Sequence, residues 1–229
     1  MNLLLVEAPP LDVWGQMALD EWFLDRPGTD FHLRFYRWEG GPAASYGYGV
    51  PRAAAGRELE AHLLANSTRR LTGGGVNRHG ADVTFSCIFP YPVEAAWKPL
   101  GVYRMLHEAI GRGFQNAGFD ICIRATPVSV IPDRFGHGMR QPVALDLMAL
   151  DGSRLLGGAL RRRRGSVLYQ GSIQMPDARS RADDIEAAVR CGIEMAVHRE
   201  GWQTLSWHPD DAFARLRDKY RSPAWRNRR

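Results

Sequence analysis

The pair Asp151-Gly152 separates two apolar-rich segments, Val143 to Leu150 and Ser153 to Ala159. A type I′ turn needs positive φ at both central positions, and Asp-Gly is a pair that meets the demand. The two segments are therefore expected to form an antiparallel hairpin, which commits the centre of the chain to β-sheet. Other stretches read the same way. Phe31 to Trp38 alternates apolar and polar side chains, and Ala43 to Gly49, Thr68 to Leu71, Val83 to Phe89, Phe119 to Ile123 and Ser166 to Ile173 are strand-like. The run Arg161 to Arg164 with Gly165 reads as the turn into the last of these. Helical spacing predicts helices over Asp12 to Asp25, with Asp12 as N-cap, and over Ala53 to Leu64. It also predicts Val102 to Ala117, closed by Gly118, then Ala182 to Arg199 and Asp210 to Tyr220. Strands in runs with helices between and after them indicate an α+β fold, with a largely antiparallel or mixed β-sheet flanked by helices. No repeat or linker divides the chain, so one domain over 1–229 is expected. Pro127 to Pro142 is irregular and long enough to be a functional loop.

Bulk composition narrows the function classes less than the pattern does. Of 229 residues 45% are hydrophobic, enough for a real core, and no apolar run is long enough to cross a bilayer. With a start too short for a signal peptide, a cytoplasmic protein without membrane association is expected. The three cysteines do not make a disulfide framework and lack zinc-site spacing, so free thiols and no metal are expected. The net charge of +5 is mild. The four arginines at 161–164 are not interleaved with aromatics that would stack bases, so nucleic acid is the weakest partner and an acidic carrier domain a better one.

Chemistry is concentrated in Arg69 to His79, where Gly73, Gly74 and Gly75 follow Arg69, Arg70, Leu71 and Thr72. Three glycines strip a short loop of side chains, so its backbone can lie against a ligand and aim N–H groups at an anion. Arg70 adds charge on one side, and His79 stands on the other as a group that orients its neighbours or transfers a proton. The alternative is a glycine-rich turn with solvated arginines and a structural histidine.

The ordered set of motifs is similar to the biotin/lipoate ligase superfamily, specifically its lipoate-protein ligase A and octanoyltransferase branch. Gln16 to Glu21 resembles the first-helix signature, and Leu33 to Trp38 with Ser45 to Tyr48 the first strand pair. Arg69 to Val76 with His79 resembles the lipoyl-binding loop. Asp151 to Ala159 with Leu168 to Ile173 resembles the next block, and Lys219 to Trp225 the closing motif. The resemblance implies a biotin/lipoate ligase-like catalytic domain without a C-terminal accessory domain: either a separate protein supplies that part, or only one of the two steps is performed here. It implies attachment of a lipoyl or octanoyl group to a lysine of a lipoyl carrier domain. A ligase would use lipoate or octanoate with ATP and Mg, and a transferase would take octanoate from an acyl carrier protein. Arg70, Thr72, Gly73, Gly74, Gly75, Val76, Gly157 and Ala159 are the implied substrate-binding residues, with the acyl tail running into the core.

Two departures stand out. In the family's Gly-x-Lys-x-x-Gly-x-Ala setting this chain reads Gly152-Ser153-Arg154-Leu155-Leu156-Gly157-Gly158-Ala159, so Arg154 takes the place of the catalytic lysine. A planar guanidinium suits two oxygens where an ammonium approaches one, and it does not exchange protons near neutral pH. The family's cysteine-nucleophile transferases carry their thiol near the hairpin, yet no cysteine lies between Ala125 and Arg190. Cys87 is left as the nucleophile candidate, against a simpler role in core packing, which is also the expectation for Cys191. These departures open an alternative: a non-catalytic family member that binds an acyl ligand or carrier protein.

Overall fold

The computed structural model describes residues 1–92, 94–123 and 144–228. In chain order, β1 (Leu3–Glu7) leads into α1 (Val13–Leu24), β2 (Phe31–Phe35) and β3 (Ala43–Tyr46). Two short helices, α2 (Arg52–Glu58) and α3 (Ala61–Ala65), precede β4 (Ser67–Arg69), β5 (Val76–His79) and β6 (Val83–Pro90). Then come α4 (Pro99–Asn116), β7 (Ile121–Ile123), β8 (Leu147–Ala149), β9 (Arg154–Arg163) and β10 (Ser166–Ile173). The chain finishes with α5 (Ala182–Val197), β11 (Trp202–Ser206), α6 (Asp211–Arg221) and α7 (Pro223–Arg226).

Eight strands form a mixed sheet in the order β11-β1-β2-β6-β10-β9-β8-β7, and three form a small sheet in the order β4-β3-β5. In the large sheet β1 runs parallel to both β2 and β11, and the other pairings are antiparallel. Because side chains alternate along a strand, β6 and β10 each serve two faces. Phe85, Cys87, Val167, Tyr169 and Ile173 join the apolar core beneath α4 and α5. Thr84, Ser86, Gln170 and Ser172 point the other way, toward α1 and the small sheet, into a buried polar layer. There Asp20 of α1 accepts from Arg34 Nη2 at 2.5 Å, Gln170 Nε2 at 2.6 Å and Ser86 Oγ at 2.7 Å, with Tyr36 as a further donor.

The expected mixed α+β architecture is present, and Asp12 caps α1 by accepting from the Gly15 N–H at 2.7 Å. Several details differ from the sequence reading. The helix expected over Ala53 to Leu64 breaks at Leu59, whose extended backbone (φ −112°, ψ 138°) turns its side chain into the core under the small sheet. Arg161, Arg162 and Arg163 are strand residues rather than turn residues. The turn is Arg164-Gly165, both at positive φ (49° and 80°), a two-residue hairpin connection. At Asp151-Gly152 the expected type I′ geometry is not formed: only Gly152 is at positive φ (84°), and Ala149 N–H donates to Ser153 O at 2.9 Å and Gly152 N–H to Ala149 O at 3.0 Å, so the loop is longer than two residues. Of the strand expected over Val143 to Leu150, Val143 lies outside the described residues and β8 spans only Leu147–Ala149; β1, β5 and β11 are strands the pattern did not single out. Pro127 to Pro142 lies outside the described residues. Among the described residues no helix is long and apolar enough to cross a membrane.

Candidate functional site

The glycine loop joins β4 of the small sheet to β5 and rests on the segment after β3. Tyr48 N–H donates to Thr72 O at 2.8 Å and Gly47 N–H to Gly75 O at 3.0 Å. The approach is so close that a Cβ on Gly47 would stand 1.8 Å from Gly74 O. Gly74 sits at φ +81°, where a side chain would be strained and would press on the Arg70 guanidinium. Gly73 and Gly74 are exposed and Gly75 is buried, so the middle of the loop offers bare backbone while its ends are anchored. Val76 is buried in the small-sheet core. Thr72, also buried, donates to Gln170 Oε1 at 2.5 Å and ties the loop to β10 of the large sheet.

The two arginines entering the loop part company. Arg69 turns toward the end of the chain, donating to the carbonyls of Tyr48, Trp225, Arg226 and Arg228, and Trp225 Nε1 donates back to Arg69 O. Arg70 alone serves the loop. Its Nη2 and Nε donate to Gly73 O at 2.6 and 3.1 Å and its Nη1 to Ser45 Oγ at 3.4 Å. It is 7% exposed and has no carboxylate partner among the described residues. Burial pulls its pKa down to about 10; the like charge of Arg154 adds to that, and Tyr36 opposes it. The guanidinium still carries its charge at neutral pH. A buried cation without a counter-ion is costly, and such a group is a standing attraction for an anion.

His79 takes its place behind Arg70. Its Nδ1 lies 3.0 Å from Asp82 Oδ2 and its Nε2 2.9 Å from Ser45 Oγ, while Trp38 stacks on the ring at 4.7 Å. Burial alone would raise the Asp82 carboxyl. The charge and hydrogen bond of His79, with donors from Thr84 and Ser172, outweigh it and hold the pKa below the usual carboxylate value. The chain Arg70–Ser45–His79–Asp82 thus fixes the arginine head, and both nitrogens of His79 are spent inside the protein.

Arg154 enters from β9. Its Nη1 is 3.0 Å from Asp146 Oδ2, and its guanidinium occupies the space a Cβ on Gly157 would need, 2.8 Å from Cζ. Ala159 follows on the same face of the strand, paired with Gln170. Asp146 is fully buried and accepts from Tyr103 Oη at 2.6 Å, and Tyr103 Oη in turn receives Gly158 N–H at 3.1 Å. Below this, His107 Nδ1 donates to Leu145 O at 2.9 Å, so its Nε2 accepts from Tyr169 Oη at 2.7 Å. Burial and the nearby Arg154 charge drop His107 to about 3, against the opposing effect of the Leu145 bond, which keeps the ring neutral.

Cys87 belongs elsewhere. It pairs with Tyr169 on the α4/α5 face, fully buried, and burial pushes its thiol well above the usual range. A thiol so placed is poorly ionised and faces away from the glycine loop. Sequence reasoning passed over Asp146, Tyr103, Ser45 and Gln170. A lone acid in the apolar run Val143 to Leu150 was the one signal available for Asp146.

No family model matches the chain. Among curated relatives, it is 32% identical over 159 residues to octanoyltransferase LipM of an Exiguobacterium strain, covering 62% of this chain and 54% of that protein. To LipM of Oceanobacillus iheyensis it is 31% identical over 179 residues, covering 74% and 63%. The matches therefore span little more than half to three fifths of the relatives' length. A lipoate protein ligase structure from T. acidophilum superposes with a TM-score of 0.73 at 20% identity, covering 98% of both chains. A second structure of that protein has bound lipoic acid (TM-score 0.71, 18% identity, 99% and 98% covered). A lipoate-protein ligase A bound with ATP gives 0.69 at 18% identity, with 98% of each chain covered. At these identities the structural likenesses establish a shared fold.

Proposed function

We propose that this chain is a member of the biotin/lipoate ligase superfamily, on its lipoate-protein ligase and octanoyltransferase branch, and that it carries a lipoyl or octanoyl group to a lysine of a lipoyl carrier domain. The observation that carries this reading is Arg70, a buried cation without a carboxylate, fastened to the exposed glycine loop and within the field of Arg154. Arg70 and Arg154 hold the anionic head of the acyl ligand, and the Gly73–Gly75 backbone lies against it. Neither guanidinium takes up a proton near neutral pH, so both serve as fixed charges that stabilise an oxyanion at the acyl carbon. His79, with both nitrogens engaged, positions Arg70 through Ser45. Where lipoate or octanoate with ATP is the acyl source, ATP supplies the activation, and the same two arginines fit its phosphates and those of an acyl-adenylate. Cys87 takes no part.

One observation favours the second reading, binding without catalysis: the guanidinium of Arg154 is already paired with Asp146 at the position where the family has a lysine. The test is direct. Calorimetry with lipoate, octanoate and octanoyl-adenylate is expected to show binding, and its failure with all three sinks both readings. The protein is then incubated with ATP, acid and a lipoyl domain, or with octanoyl carrier protein and no ATP, and the domain is weighed by mass spectrometry. A mass gain supports the enzyme. An unmodified domain with ligand binding intact supports the binder.

A further inference from the structure

Beside the glycine loop stands a second group of cations that the acyl site does not use. Tyr48, whose N–H holds the loop at Thr72 O, has its ring flanked by Arg161 at 4.9 Å and Arg228 at 5.5 Å. Arg228 also lies 5.8 Å from the Trp225 ring. Arg226 is attached next to it, its carbonyl accepting from Tyr46 Oη at 2.8 Å. Arg52 and Arg221 are close enough to Arg226 for their like charges, after burial, to lower its pKa. Neighbouring cations find acids: Arg163 and Lys219 share Glu21, and Arg217 pairs with Asp12. Among the described residues none of Arg52, Arg161, Arg221, Arg226 and Arg228 makes an ion pair with a carboxylate. Arg228 and Arg221 are exposed, and the other three are half-buried.

Like charges held together without acids repel, and the fold maintains the group through contacts that are not ionic. Cation–π stacking fixes Arg161 and Arg228, and the carbonyls of Trp225, Arg226 and Arg228 are themselves bound by Arg69. The result is a pre-organised positive rim at one edge of the loop. A lysine side chain reaches only roughly 6 Å on its four-carbon stem. Any domain that presents a lysine to an acyl group beside Gly73 to Gly75 must therefore seat its own surface against this rim.

We propose that Arg161, Arg226 and Arg228 form the docking surface for the acceptor carrier domain, and that the domain meets it with a patch of acidic side chains. This rests on the acyl-transfer reading above and assigns the place where the partner sits. The aromatic faces here are already covered by the protein's own arginines, which disfavours base stacking as the way the rim is used.

The experiment titrates the full chain with an acidic lipoyl domain by calorimetry, at low and physiological salt, for wild type and for Arg161→Glu/Arg228→Glu. Octanoyl-adenylate is titrated in parallel. The expected result is salt-dependent binding to wild type, weakened at least about tenfold in the charge-reversed protein, with octanoyl-adenylate affinity unchanged. Arg161→Ala/Arg228→Ala should show a smaller loss in the same direction, which guards against misfolding of the reversed variant. Equal binding of the domain by wild type and both variants overturns the proposal. So does a loss seen only with an acyl carrier protein, or a tighter grip on duplex DNA than on the domain. If wild type binds octanoyl-adenylate but the domain ignores the substitutions, only the docking surface is wrong. If it binds neither, the acyl-transfer reading falls first.

Discussion

The two faces of the large sheet are made by the same strands and do opposite work. Under α4 and α5, β6 and β10 present Phe85, Cys87, Val167, Tyr169 and Ile173 to an apolar core. Toward α1 and the glycine loop, the intervening residues present Thr84, Ser86, Gln170 and Ser172 to a buried hydrogen-bonded layer that ends at Arg70 and Thr72. The apolar face supplies stability. The polar face spends part of it on holding charge where a ligand needs it. One exception sharpens the contrast: His107, Tyr103 and Asp146 carry polarity through the apolar side, and they lead to Arg154.

Substitutions test that division in descending order of effect. Asp20→Ala removes the acceptor for Arg34, Tyr36, Ser86 and Gln170, leaving a buried cation unpaired. Unfolding in urea should show a loss of about 3–5 kcal/mol. A loss below about 1 kcal/mol would mean that the polar layer is not structural. Arg70→Met should do the reverse of what a core substitution does: ligand affinity falls on the order of a hundredfold while stability holds or rises, since an uncompensated buried charge is gone. Calorimetry and thermal melts on one sample decide it. Arg154→Lys is expected to weaken octanoyl-adenylate by roughly tenfold, because an ammonium does not fork between Asp146 and an anion over Gly157. Tighter binding, or a rise in transfer, would show that the site is still shaped for lysine.

A pH titration probes the exception. His107 is neutral in the fold down to about 3, whereas the unfolded ring takes a proton below about 6.5. Its depressed value means the contribution is full above pH 6.5 and is lost as pH falls through the window toward 3. The slope amounts to at most about 1.4 kcal/mol per pH unit. Melting temperature followed from pH 7 to pH 4 should fall accordingly, and His107→Gln should flatten that curve. The smallest effect belongs to Cys87→Ala, with about 1 kcal/mol lost and transfer or binding unaltered. Abolished transfer would return Cys87 to the chemistry.

How far the sequence disclosed this arrangement follows from what each residue depends on. The Asp12 cap, the presence of a hairpin about Asp151-Gly152 and the position of β10 are local, and they were legible; the type of that turn and the far end of β9 were not. Arg70 and the three glycines could be picked out because a bare backbone beside a cation is a local pattern. The divergence of Arg69 from Arg70 was hidden, since it is set by carbonyls at Trp225, Arg226 and Arg228 on the far side of the chain. Similarly, the placement of the half-buried Arg161 to Arg163 in a strand depends on Tyr48, on the Pro92 and Ala95 carbonyls, and on Glu21. The edge strand β11 is short and half exposed, and its pairing with β1 lies at the greatest sequence distance in the sheet.

That pairing has a kinetic side. Leu3 is joined to Phe31 early in the chain, but its other neighbour is Trp202. While a ribosome is still reading the intervening codons, one flank of β1 offers unpaired amides to whatever passes. Synthesis of this protein therefore includes an interval of vulnerability to aggregation, and it closes only when the eleventh strand arrives to cover that flank.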